Sequence, residues 1–294
     1  VYHLKAAGKM NWHKMDTAIE MIEAARAEGL KLTADMYTYP FSGTGLASCI
    51  PAWAHDGGFE KLIERLQDSD TRAKIKAEMN LPTDDWENMF YENGADGILL
   101  AGFAKPELRK YQGKTLREVM EERGTAADDT VIDLLLEDRS RIFTLYFSMS
   151  DDNLRKQVQL PWLSFCSDAG SIAPEGNFLS YHPHPRAYGS FARVIGKYVR
   201  DEGVITLQDA VRRLSGFPAD NLKLQGRGYL KSGYFADVVV FDPAKVQDHS
   251  VPGNPHQYSD GMVHVFVNGT QVLHDGEHTG NFPGRVVRGP GWRG

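Results

Sequence analysis

Between Asp16 and Glu28 the apolar residues Ala18, Ile19, Ile22 and Ala25 recur at helical spacing, with Asp16 placed to cap the start and Gly29 to end the turn. Leu30-Lys31-Leu32-Thr33-Ala34 then alternates as a short strand would, and Asp35-Met36-Tyr37-Thr38-Tyr39-Pro40 follows it. A short segment, a helix and a strand in that order make one βαβ step, which predicts a parallel α/β architecture. From about 41 to 140 this rhythm stops. Gly-rich turns alternate with charged helical stretches such as Glu60–Gln67 and Leu116–Arg123. About a hundred residues are too many for an ordinary connection, so the stretch reads as an inserted, α-rich subdomain.

The later part returns to regular elements. Ile142–Phe147 is a strand candidate, Asp151–Gln159 a polar helix, and Trp162–Cys166 a second apolar strand running into Ser167-Asp168. Helices are expected at Phe191–Arg200 and Leu207–Leu214, the latter opened by Thr206 with Asp209 three residues on, a capping box. Beyond Leu224 the pattern turns to β. Val238–Phe241 is one strand, and Val263–Val267 and Gln271–Leu273 form a hairpin joined by Asn268-Gly269. The organisation expected is therefore 1–225, carrying the insertion at about 41–140, and a small β domain over 226–294.

Composition leaves this picture intact. The chain has 294 residues, 41% hydrophobic and 24% charged, which is ordinary for a globular protein. A net charge of −6 argues against a nucleic-acid surface. No apolar run reaches the roughly 18 residues of a membrane helix. Two cysteines, Cys49 and Cys166, exclude a disulfide framework and are expected as free thiols. The chain opens at Val1-Tyr2-His3-Leu4-Lys5 with no initiator Met, as if partway through a folded element. That leaves export and compartment open.

In parallel α/β folds chemistry gathers at the carboxyl ends of strands. His3 and Lys5, Asp35 to Tyr39, and Asp168 meet that condition, and His182-Pro183-His184-Pro185-Arg186 lies in the loop after Asp168. An imidazole and a carboxylate suit a hydrolytic zinc, and an Asp beside a metal-bound water can take its proton. Arg186 could grip a carboxylate with its planar fork. For the His-Pro-His-Pro-Arg run, a stiff loop with a surface charge stands as an equal reading.

These residues also carry a resemblance. His3-Leu4-Lys5, Asp35-Met36-Tyr37-Thr38-Tyr39-Pro40, Cys166-Ser167-Asp168-Ala169, His182–Gly189 and Gly233–Pro243 together resemble the N-acyl-D-amino-acid deacylases (D-aminoacylases) of the amidohydrolase superfamily. In that family the corresponding stretches end the sixth, seventh and eighth strands of a (β/α)8 barrel, form a His-Pro-Arg-x-x-Gly loop, and lead into a C-terminal β-sandwich. The resemblance implies a TIM-type barrel of which only the last strands are present, with a partial β-sandwich. It implies zinc, one or two ions, and a small-molecule substrate, an N-acyl-D-amino acid. It makes His3 a metal ligand and Asp168 a metal-proximal general base. Lys5, Tyr37 and Arg186 would hold the substrate α-carboxylate. Nothing is implied about oligomeric state.

Thr38, Leu4 and Ala169 depart from the family's Pro, second His and Gly, and the loop from Ala169 to Tyr181 is long. The family's His-x-His pair, its bridging ligand and its fifth-strand His have no counterpart in this chain. Two rival readings are weighed beside it. One is an amidohydrolase acting on cyclic amides, of the hydantoinase or dihydroorotase kind. The other is a non-catalytic scaffold module.

Overall fold

The computed structural model describes residues 1–293, and its architecture is mixed α/β. Helix α1 spans Lys14–Ala27, and Gly29, at φ +95°, closes it by donating to the Arg26 carbonyl. The strand expected over 30–34 forms later, as β1, Ala34–Met36. Leu30 is exposed and Leu32 turns back to bond the Leu30 carbonyl, whereas Ala34 and Met36 are buried. The register is set by a partner distant in sequence. Strand β5, Leu163–Phe165, lies parallel to β1 with Ala34 opposite Leu163 and Met36 opposite Phe165.

The first residues lie along the other edge of β1. The Val1 amine donates to Thr33 O, Asp35 N to Val1 O, and Leu4 N to Asp35 O. A regular parallel ladder would use His3 N for the last bond. The chain instead carries one extra residue there, so His3 bulges to φ +34° and its N–H turns to Asp35 Oδ1 at 2.8 Å.

Between Pro40 and Met149, whose backbone groups bond at 3.1 Å, the chain makes a long excursion. It contains strands β2 (Ser42–Gly45), β3 (Ile98–Gly102) and β4 (Phe143–Tyr146), antiparallel in the order β2-β4-β3. Against this sheet pack α2 (Phe59–Gln67), α3 (Ser69–Met79), α4 (Met89–Asn93), α5 (Leu116–Arg123) and α6 (Ala127–Asp138). Their apolar faces share one core that includes Leu62, Leu66, Ile75, Val119, Val131 and Leu135. Thr115 and Glu118 cap α5 reciprocally, which is why that helix begins where its sequence says.

After the excursion come α7 (Asp151–Val158), β5, and α8 (Arg186–Arg193), which continues as π-helical turns through Asp201. Helices α9 (Leu207–Leu214) and α10 (Gly216–Asn221) follow. The capping box expected on α9 forms by half. Thr206 accepts from Asp209 N, but the Asp209 carboxylate turns to Arg212 and Arg213. The tail is one antiparallel sheet of β6 (Val238–Phe241), β7 (Met262–Val267), β8 (Thr270–His274) and β9 (Glu277–His278). Asn268 at φ +50° and Gly269 at φ +82° make the turn that fits the twist of the β7–β8 hairpin. The loop between β6 and β7 leaves this sheet and reaches the residues that follow β1. Among the described residues no helix is long and apolar enough to cross a membrane.

Candidate active site

Three segments meet beyond the ends of β1, β5 and residues 1–4. His3 and Asp168 both sit at left-handed φ, +34° and +47°. That conformation costs a non-glycine residue about 1 kcal/mol or more, and such strain concentrates where side-chain aim matters. Asp168 lies three residues beyond β5 and Tyr37 one beyond β1, so the parallel pairing brings both to the same end of the two strands.

The side chains form a closed circuit. Lys5 Nζ donates to His3 Nδ1 at 2.7 Å and lies 5.3 Å from the centre of the Tyr37 ring. The Arg186 guanidinium lies 4.5 Å from that same ring centre and pairs with Asp168 at 2.7 Å. Asp168 also accepts the Tyr2 hydroxyl, and the Tyr2 ring returns to His3 at 3.9 Å between centroids. All five residues singled out in the sequence thus fall in one neighbourhood. Tyr2 belongs to it too and was not foreseen. Its only sequence signal was its place beside His3.

Burial sets the protonation preferences. It lowers the Lys5 pKa, with Asp168 opposing and Arg186 reinforcing the shift. It raises Tyr37 above the ordinary phenol range, with Arg186 pulling the other way. Cys166, beside Asp35, is pushed up to about 12, chiefly by burial, so its thiol stays protonated.

The His-Pro-His-Pro-Arg run divides by role. Only Arg186 enters the circuit. His184 is buried against Tyr37, Tyr39 and Phe41, accepts the Arg186 backbone N–H at Nδ1 (3.0 Å) and meets the Phe41 carbonyl at Nε2 (2.9 Å). Those partners fix the neutral Nε2–H tautomer, and burial holds its pKa well below the usual range. His184 is the anchor that sets where α8 starts. His182 faces elsewhere, its backbone bonded to Ala101 and its ring near His256.

A cleft of about 560 Å³ opens beside His3 and Lys5, closed on the excursion side by Ser42, Thr44, Ser48 and Glu87. A metal fits this chain's residues poorly. Lys5 occupies His3 Nδ1, Arg186 and Tyr2 occupy Asp168, and no three His, Cys, Asp or Glu residues among those described converge on one point. Catalytic zinc sites take about three protein ligands.

Residues 176–273 match the model of the Amidohydrolase family. The chain is 36% identical over 197 residues to a D-aminoacylase of Alcaligenes xylosoxydans xylosoxydans, covering 65% of this chain and 38% of the relative. It is 31% identical over 286 residues to an N-acyl-D-glutamate deacylase of the same organism, covering 97% and 47%. It therefore spans less than half the length of either relative. Among solved structures, a D-aminoacylase described as defining a novel subset of amidohydrolases superposes with a TM-score of 0.72 at 27% identity, covering 97% of this chain and 48% of its own. An N-acyl-D-glutamate deacylase from Bordetella bronchiseptica, complexed with zinc and a phosphonate mimic of the tetrahedral intermediate, gives 0.70 at 28%, covering 98% and 49%.

Proposed function

Because this chain belongs to the D-aminoacylase family of amidohydrolases, we propose that the complete protein hydrolyses N-acyl-D-amino acids to a carboxylate and a free D-amino acid. The observation that carries this reading is the set Lys5, Tyr37 and Arg186 gathered around Asp168. An open-chain N-acyl-amino acid offers a carboxylate for two cations and a phenol, and an amide for a general base. A hydantoin or dihydroorotase-type ring presents its amide differently, and a scaffold module has no use for a strained, charged cluster of this kind.

In this reading residues 1–4, β1 and β5 are the last three strands of a TIM-type barrel. Their sequential parallel pairing supports it. The unit 1–225 carries the excursion, first placed at about 41–140, as a cover over the cleft, and 226–294 is part of a β-sandwich. Zinc, which the Bordetella bronchiseptica deacylase holds in its complex, would lower the pKa of the attacking water and polarise the carbonyl. His3 and Asp168 are this chain's candidate ligands, and two do not complete such a site, so the chemistry assigned here is what the protein groups do. Asp168 accepts the proton of the water whose oxygen bonds to the amide carbon. The carbon–nitrogen bond then breaks as Asp168 returns that proton to the leaving amine.

The test is a panel of N-acetyl-D-amino acids against hydantoins with the full-length protein. Turnover of the hydantoins alone would end the proposal, as would no turnover of either.

A further inference from the structure

Helix α8 carries two arginines seven residues apart, two helical turns, and each lies over a tyrosine of the segment after β1. Arg186 lies over Tyr37 and Arg193 over Tyr39, at 4.5 and 4.8 Å from the ring centres. Each arginine also pairs with an aspartate, Arg186 with Asp168 and Arg193 with Asp248 at 3.0 Å. In the first set the Arg186 and Asp168 side chains are 12% and 14% exposed. In the second the tyrosine and the aspartate are buried and Arg193 reaches the surface with part of its side chain. Tyr39 is 3% exposed, Asp248 8%, and Asp248 Oδ2 accepts both the Tyr39 hydroxyl (2.9 Å) and Arg193 Nη1.

The second set ties three distant parts of the chain. Arg193 Nε donates to the Thr38 carbonyl, and Thr38 Oγ1 donates to the Ser190 carbonyl, so the strand-end segment and α8 are bonded in both directions. Asp248 comes from the loop between β6 and β7. Gly189 allows the approach, because a Cβ there would lie 1.9 Å from the Tyr39 hydroxyl oxygen and 3.0 Å from Asp248 Cβ.

We propose that Asp248 is a positioning residue: through Tyr39 and Arg193 it sets the rotation and height of α8 against the strand end, and thereby holds Arg186 over Tyr37. The tail thus controls carboxylate recognition without touching substrate. A buried charge with two partners is suited to this, since a shifted helix would leave it unpaired at a cost that apolar packing would not impose. The inference rests on the reading of Arg186 and Tyr37 as the carboxylate grip.

The experiment uses the full-length protein with Asp248→Ala, Asp248→Asn and Gly189→Ala. It compares an N-acetyl-D-amino acid with its carboxamide, in kcat and KM separately, and adds a crystal structure of each variant. Expected is a ~10- to 100-fold loss of the acid-over-amide preference in KM for Asp248→Ala, the range seen when a supporting partner is removed. Gly189→Ala should match it, and Asp248→Asn should keep most of the preference because the amide oxygen still accepts from Tyr39. A lowered melting temperature with the preference unchanged would overturn the proposal, as would Arg186 still lying over Tyr37 in the Asp248→Ala structure. If the wild-type protein hydrolyses no N-acyl-D-amino acid, the substrate reading fails, and the crystal structures alone then decide whether Asp248 positions α8. Should one alanine variant not fold, the other, with Asp248→Asn, decides the same question.

Discussion

Arg186 Nη1 lies 2.7 Å from Asp168 Oδ2, with the two side chains only 12% and 14% exposed. The group assigned to hold a substrate carboxylate therefore holds the group assigned to move the proton. Arg186 and the Tyr2 hydroxyl occupy both oxygens of that carboxylate, the positions from which it would take a proton from water. For Asp168 to act, Arg186 must exchange it for another anion, and the substrate's own carboxylate is the anion available.

This exchange predicts that removing the substrate carboxylate lowers kcat as well as raising KM. The carboxamide of a good substrate would bind weakly and leave Asp168 paired, so remote binding would no longer contribute to the chemical step. Steady-state kinetics on matched acid and amide substrates measure this. An effect confined to KM would show that the pair is not exchanged.

Asp168→Asn in the full-length protein should cut kcat by at least ~10²-fold, the usual contribution of a general base. The amide can still accept from Tyr2 and Arg186, so thermal stability should change little. Wild-type-like kcat in this variant would remove Asp168 from the mechanism.

His184 yields a prediction about pH and stability. Its folded pKa is depressed, while in the unfolded chain it titrates near the ordinary value of about 6.5. Below that pH the unfolded state binds a proton that the folded state does not. His184 therefore destabilises the fold progressively as pH falls below ~6.5, by up to ~1.4 kcal/mol per pH unit. His184→Gln should flatten that slope, and should cost ~1–3 kcal/mol at pH 8 if either buried bond is lost. Chemical denaturation of both proteins from pH 8 to 5 tests it, and identical slopes would refute it.

Local signals carried much of this structure. The helical stretch expected at Leu116–Arg123 forms with those bounds as α5, and Asn268-Gly269 marks the β7–β8 turn, because both depend on residues close in sequence. The first strand was displaced because its register comes from β5, well over a hundred residues away. The excursion was legible as helices, and its strand β4 was expected over 142–147, but the β2-β4-β3 sheet was not, since Ser42–Gly45 has no strand-like pattern until β4 pairs with it. In the site, strand-end placement pointed to His3, Lys5, the segment Asp35 to Tyr39 and Asp168, while Arg186 came from the loop after Asp168 and the roles of Tyr37 and Arg186 from the family resemblance. His184 was grouped with them by its motif, and only its two buried partners show it as an anchor. Asp248 had no local signal at all, because its meaning comes from Tyr39 and Arg193 in other segments.

The last prediction concerns zinc and this 294-residue chain by itself. His3 offers one usable nitrogen, Nε2, because Lys5 holds Nδ1, and in the neutral ring that nitrogen bears the hydrogen. Asp168 must give up Arg186 before it can ligate. Cys166 would have to lose a proton from a thiol pushed up to about 12. Three obstacles at two or three donors leave little of the ~10–16 kcal/mol that complete structural zinc sites reach. The isolated chain should therefore bind zinc weakly and show no turnover of N-acetyl-D-amino acids with zinc added. Equilibrium dialysis against buffered zinc, run beside a full-length relative, measures the first part, and a hydrolysis assay measures the second. Stoichiometric binding as tight as the relative's, with comparable turnover, would mean that His3 and Asp168 find further ligands within this chain.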